Sequence, residues 1–202
     1  MQLFCLKPTV HLFDRFHEFV QAFSVGEGDL LLTESLFYEQ YLRQESLSCK
    51  ILFKDDYDPG EPKEETIDAI LEDIQSLPIR RIIAMGGGSV IDIAKILCVK
   101  NAYPCRRVME QQIPMVLDKE LIVLPTTCGT GSESTDIGVV LDQEENYKYI
   151  FSNPFAGPDV AILDPVLLTA LSPAMIAATA MDAFSHSAEA YTCKAANVMM
   201  EP

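Results

Sequence analysis

The sequence predicts an α/β protein: a Rossmann-like parallel sheet with helices on both faces, followed by the start of an all-helical domain. Three observations predict it. Short, continuously apolar runs alternate with segments whose apolar residues recur at helical spacing, the pattern of strands covered on both sides. One such run leads directly into Gly86-Gly87-Gly88 and then into a helical pattern. After Pro165 the strand signals stop and Ala and Leu dominate, which divides the chain into residues 1–164 and 165–202.

The elements follow in order. Asp-Leu-Leu-Leu-Thr at 29–33 is a strand, followed by a helical stretch over 35–44. Residues 49–53 form a second strand, and 55–62, rich in Asp, Pro and Gly, a loop. Ile67, Ile70, Leu71 and Ile74 set a helix over 63–76. Residues 81–85 are a third strand; the glycines follow, then a helix from about 89 to 100. Leu121-Ile122-Val123-Leu124 is a fourth strand, ending at Pro125. Residues 137–141 and 147–151 flank the polar turn 142–146 as a hairpin, and 160–163 is a last short strand. Ser172-Pro173 reads as a helix cap with proline in the first turn. The N-terminal segment, with scattered Phe, His11 and His17, carries no clear element; both histidines read as ordinary surface or core residues.

Composition narrows the partners. With 202 residues, 49% of them hydrophobic, the chain can bury a sizeable core. A net charge of −15 repels phosphate backbones, so nucleic acid is not expected as a partner. The longest uncharged stretch, 165–181, is broken by Pro173 and too short for a membrane span. The first residues lack the basic and apolar regions of a signal peptide. Cys5, Cys49, Cys98, Cys105, Cys128 and Cys193 show no C-x-x-C spacing and read as reduced thiols, so a cytoplasmic location is expected.

Four features carry chemistry. The Gly86-Gly87-Gly88-Ser89 turn lets backbone approach a ligand and presents a helix N-terminus to an anion such as a pyrophosphate. It is neither G-x-G-x-x-G, since Ile91 stands where a glycine is needed, nor a P-loop. A tight strand-to-helix turn is the plainer alternative. Pro125 to Glu133, reading Pro-Thr-Thr-Cys-Gly-Thr-Gly-Ser-Glu, is dense in hydroxyls suited to a nucleotide; the alternative is a polar loop in which Thr130 or Ser132 caps a helix. Glu34 ends the first strand, where a carboxylate can accept both ribose hydroxyls and would repel a 2′-phosphate, or could simply start a helix. Asp182 and His186 stand four apart, on one helical face, as half of a metal site or a local pair.

Taken together, Gly-Gly-Gly-Ser-Val-Ile-Asp-Ile-Ala-Lys at 86–95, the threonine loop at 125–133 and Met-Asp-Ala-Phe-Ser-His-Ser-Ala-Glu-Ala-Tyr at 181–191 resemble the iron-containing (group III) alcohol dehydrogenase family. Residues 25–29 and 119–121 are most similar to its 4-hydroxybutyrate dehydrogenase branch. The resemblance implies an NAD-dependent, metal-dependent enzyme moving a hydride between nicotinamide and a small primary alcohol or aldehyde. It implies that Gly86, Gly87, Gly88, Ser89, Asp92, Thr126, Thr127, Thr130, Ser132 and Lys148 bind the cofactor, with Glu34 favouring NAD over NADP. Lys95 matches the lysine of the glycine motif. Asp182 and His186 match two of four ligands to Fe²⁺ or Zn²⁺. Full-length members are expected to be homo-oligomers. Glycerol-dehydrogenase-like and dehydroquinate-synthase-like enzymes share the glycine turn, but the threonine loop followed by Asp-x-x-x-His argues against both. Cys128 needs no nucleophilic role in this chemistry.

The same family supplies two further histidines from a longer helical domain, so the expectation here is a C-terminally truncated chain, inactive alone. A non-catalytic NAD-binding fragment is the alternative from another functional class.

Overall fold

The structure, a computed structural model, describes residues 7–143, 146–194, 196, 197 and 200. Its strands are β1 (Thr9–Leu12), β2 (Asp29–Thr33), β3 (Lys50–Phe53), β4 (Arg81–Gly86), β5 (Glu120–Pro125), β6 (Ile137–Asp142), β7 (Tyr147–Ser152) and β8 (Val160–Leu163). Six pair in parallel in the order β1-β8-β5-β4-β2-β3; β6 and β7 form a separate antiparallel hairpin. The helices are α1 (Phe16–Ala22), α2 (Ser35–Phe37), α3 (Glu64–Ile74), α4 (Gly88–Leu97), α5 (Arg106–Met109) and α6 (Pro173–Thr192). The family of folds is the expected one: a Rossmann-like parallel sheet that leads into a long helix.

Strand alternation sorts the core into two layers. Leu30, Leu32, Ile82, Ala84, Leu121 and Val123 face α3, α4 and the hairpin. Leu31, Ile83, Met85, Ile122 and Leu124 face the other way, onto Phe16 and Phe19 of α1, Phe37 of α2, and Leu167. Both faces of β2, β4 and β5 are therefore covered, which is why their sequences read as unbroken apolar runs. The chain leaves β2 outward to β3 but leaves β4 in the opposite direction to β5, so the winding reverses between β2 and β4. A crevice at the carboxyl ends of the strands beside that reversal is where sheets of this kind bind ligands.

Several boundaries differ from expectation. The N-terminal segment forms β1 and α1. β1 leaves no sequence signal because Thr-Val-His-Leu lies at a sheet edge, mostly exposed, and carries no apolar run. α5 is too short to leave a period. The expected 35–44 helix is α2 continuing as a wider π-helical turn over Tyr38–Leu42. The expected loop at 55–62 begins with a 3₁₀ turn, Lys54–Asp56. The helix expected to reach 100 stops at Leu97. Ser172 caps α6, accepting the Met175 N–H at 3.2 Å, with Pro173 at the first position. The middle of the hairpin turn, Cys5 and the first six residues, where a signal peptide would begin, lie outside the described residues. Among the described residues no helix is long and apolar enough to cross a membrane.

Candidate functional site

The glycine turn sits where β4 ends. Gly87 precedes α4, and the first intrahelical bonds run from Val90 and Ile91 back to the Gly87 carbonyl. The N–H groups of Gly88 and Ser89 thus open the helix, in position to meet an anion. Gly86 answers a steric need: a Cβ there would lie 2.5 Å from Val90 Cγ2. Gly87 and Gly88 face the neighbouring loop, where a Cβ on each would meet Thr127 Cγ2 at 3.4 Å and Thr130 Cγ2 at 3.1 Å. The glycine turn and the threonine loop therefore touch, because β4 and β5 are adjacent.

The threonine loop does not start a helix, so neither Thr130 nor Ser132 is a helix cap. Ser132 turns inward instead. Its hydroxyl donates to Asp92 Oδ1 at 2.6 Å and accepts from Lys95 Nζ at 2.8 Å. Asp92 Oδ2 accepts the Val139 N–H at 3.1 Å, and Lys95 also donates to the Ile137 carbonyl. Lys95 is wholly enclosed, and burial lowers its pKa while the Asp92 carboxylate opposes that shift. Thr126 is also wholly enclosed, and among the described residues its hydroxyl has no hydrogen-bond partner; the same holds for Thr33 at the end of β2.

Glu34 follows β2 and precedes α2, without a side-chain cap bond. Its half-buried carboxyl is pushed above the usual range by burial, with the nearby Lys54 ammonium pulling the other way. Lys54 is enclosed and donates to the Gly60 carbonyl. On the hairpin, the exposed Lys148 pairs with Glu61 Oε1 at 2.8 Å, a partner 87 positions away that no local sequence signal could announce.

Asp182 and His186 lie on α6, with Oδ2 and Nδ1 3.9 Å apart. His186 Nδ1 is 3.4 Å from the Gly129 carbonyl. That contact would place the proton on Nδ1 and leave Nε2 as a ligand, the arrangement in which metal-binding histidines are oriented by a second partner. A carboxylate oxygen and an imidazole suit several divalent ions, Fe²⁺ and Zn²⁺ among them. Among the described residues no group of three or more His, Cys, Asp or Glu is placed to hold an ion, so Asp182 and His186 are the two donors that the described residues offer here. Gly129 has a part that nothing in the sequence motif assigns to it. A Cβ there would lie 2.2 Å from the Thr179 carbonyl, so it is the point where the threonine loop and α6 meet.

A cavity of about 820 Å³ joins these parts. Gly88, Ser89 and Asp92 line it from α4, Thr130 and Ser132 from the loop, Lys148 from the hairpin, and Asp182 and His186 from α6. Glu34, Gly86, Gly87, Thr126 and Thr127 do not line it; they sit behind or beside it along the strand ends.

Comparison with known proteins gives a consistent picture. The family model "iron-containing alcohol dehydrogenase" matches residues 21–165. A 4-hydroxybutyrate dehydrogenase from Clostridium kluyveri is 39% identical over 197 residues, covering 98% of this chain and 53% of its own length. An NADPH-dependent butanol dehydrogenase from Clostridium saccharobutylicum is 29% identical, over 80% of this chain and 42% of its own. Among solved structures, an iron-containing alcohol dehydrogenase from Thermococcus thioreducens superposes with a TM-score of 0.78 at 28% identity, over 97% of this chain and 55% of that one. A sulfoacetaldehyde reductase from Bifidobacterium kashiwanohense, solved with NAD⁺, shares the fold at a TM-score of 0.78 and 24% identity, over 93% of this chain and 52% of that one. The chain spans about half the length, or less, of the curated relatives it matches.

Proposed function

The chain belongs to the iron-containing alcohol dehydrogenase family, and on that premise we propose that it forms the cofactor-binding half of an NAD(H)-dependent dehydrogenase for small primary alcohols and aldehydes. The observation that carries the reading is one cavity lined by the α4 N-terminus, the threonine loop and the Asp182/His186 pair. The 4-hydroxybutyrate dehydrogenase relative points to 4-hydroxybutyrate and succinate semialdehyde as the pair interconverted.

Each residue group has a distinct task. Gly88 and Ser89 present N–H groups to the pyrophosphate. Gly86 and Gly87 keep the backbone low enough for that approach. Thr126, Thr127 and Thr130 offer hydroxyls along the nucleotide. Glu34 accepts the adenosine ribose hydroxyls and discourages a 2′-phosphate, although one relative is named as NADPH-dependent. Lys148 reaches the cofactor from the hairpin. Asp182 and His186 would hold the divalent ion, which when bound supplies Lewis acidity at the substrate oxygen. The cavity walls hold alcohol and nicotinamide together and limit water.

The reduced thiols suit a cytoplasmic location, and homo-oligomerisation is proposed for the full-length enzyme. With two donors described, this chain by itself is expected to bind NADH but not to turn over succinate semialdehyde. Nucleotide binding without chemistry is therefore the second reading, favoured by the same donor count. Titrating NADH and following its fluorescence tests the first step; no saturable signal up to about 1 mM, an affinity weaker than roughly 4 kcal/mol, would sink the cofactor assignment. Turnover with and without added Fe²⁺ or Zn²⁺ separates the two readings.

A further inference from the structure

Asp92 and Ser132 carry little free hydrogen-bonding capacity toward a ligand. Asp92 Oδ1 takes the Ser132 hydroxyl at 2.6 Å and faces Lys95 Nζ at 3.5 Å, while Oδ2 takes the Val139 N–H at 3.1 Å. Ser132 is 5% exposed and Lys95 0%. The three side chains come from two places: the second and third turns of α4, and the end of the threonine loop. Their backbone partners, Ile137 and Val139, come from a third, the first strand of the hairpin. Three walls of the nucleotide cavity, α4, the threonine loop and the hairpin, are thus tied to one buried charge pair.

We propose that Asp92, Lys95 and Ser132 form a clamp of positioning residues that fixes the threonine loop and the β6–β7 hairpin against the N-terminus of α4, and so sets the width of the cofactor groove. The proposal rests on the cofactor reading above but assigns these residues a different task from contacting NAD(H). Chemistry favours a clamp over a ligand site. A fully enclosed ammonium is tolerated only when its protons find acceptors, and here they find a hydroxyl, a carboxylate and a carbonyl. The hydroxyl of Ser132 serves as the hinge pin, donating to one charge and accepting from the other. Thr130 is held by the same joint, since the Ser132 N–H lies 3.3 Å from its hydroxyl. Thr130 in turn covers Gly88 at the helix entrance. A shift at Lys95, which touches no ligand, would therefore be transmitted to the pyrophosphate site through Ser132 and Thr130.

The test uses the full 202-residue chain with Lys95→Met, Ser132→Ala and Ser132→Thr, each read two ways. Amide hydrogen exchange is measured first, without nucleotide. Lys95→Met and Ser132→Ala should speed exchange at Val139 and across 130–132, while amides of β4 stay protected. NADH affinity is measured second and should fall at least about tenfold in both, as expected when a binding group is displaced by a fraction of an ångström to an ångström. Ser132→Thr, which keeps the hydroxyl, should restore both signals. Unchanged exchange at Val139 would overturn the clamp whether or not NADH binds. Faster exchange with unchanged NADH affinity would overturn its link to the groove. If the wild-type chain shows no NADH signal, the cofactor reading fails, and exchange still decides whether the clamp exists. Should Lys95→Met fail to fold, Ser132→Ala and Ser132→Thr decide the same question between them.

Discussion

Thr126 presents a hydroxyl enclosed on all sides with no partner among the described residues, beside the glycine turn. A buried hydroxyl left unpaired is a cost to the empty protein, so Thr126→Val should leave stability unchanged or raise it by about 1 kcal/mol in urea unfolding. The same change should weaken NADH if the hydroxyl is kept for the cofactor; unaltered NADH affinity would release Thr126 from that role. Glu34 makes a pH-dependent prediction. Its carboxyl titrates above 4.5 in the folded chain because burial disfavours the charge. Between the unfolded and folded values the folded state holds a proton that the unfolded state has released, so this group's contribution to stability falls as pH rises through that window. Its charge, and with it the repulsion of a 2′-phosphate, is present only above the raised value. The preference for NADH over NADPH should therefore shrink as pH is lowered through that range and vanish in Glu34→Gln at every pH; a Glu34→Gln chain with undiminished preference would remove Glu34 from the site. The residue types of the site were legible because glycine turns and hydroxyl-rich loops leave local signatures. The inward turn of Ser132 onto Asp92 was not, because the partners lie 40 positions apart.

At the scale of elements, the contact between the threonine loop and α6 rests on the absence of one side chain. Gly129→Ala would drive a Cβ into the Thr179 carbonyl, which belongs to helix backbone and cannot swing aside. The expected result is a loss of roughly 1–3 kcal/mol in the docking of α6, read as faster amide exchange along α6 while the sheet stays protected. Equal exchange in both chains would show that α6 is held elsewhere. Among the described residues Thr179 is the only buried one on α6, so little else is available to hold it. The strands and principal helices of the sheet were legible because burial on both faces forces continuous apolar runs, and α3 keeps a clean helical period. β1, α1 and α5 were not, for the converse reason. Four to seven residues are too few to establish a period, and their placement is decided by partners distant in sequence. The proposed division at 164/165 sits at Asp164, whose side chain accepts the Val166 N–H at 2.9 Å and caps the next turn.

At the scale of the molecule, α6 presents Met175, Ile176, Met181, Phe184 and Tyr191 to solvent, with Phe184 66% exposed. Apolar side chains gathered on one helix mark a surface that seeks a cover. Sedimentation of this chain should show concentration-dependent association that Met181→Glu/Phe184→Glu reduces, with NADH binding retained; a monomer at all concentrations would mean the face is tolerated bare. The sheet itself ties the beginning of the described chain to its far side. Among the described residues β1 pairs only with β8, and Lys7 donates to the Gly157 carbonyl across 150 positions. On the ribosome, at about 5–20 residues per second, β1 emerges roughly 8–30 seconds before the strand it needs. Phe16 and Phe19 must wait beside it, because Val160 and Ile162 complete the layer they enter. β1 is thus made about 150 positions before the strand that secures it, and the growing chain carries that unpaired edge, with Phe16 and Phe19 beside it, across the whole interval.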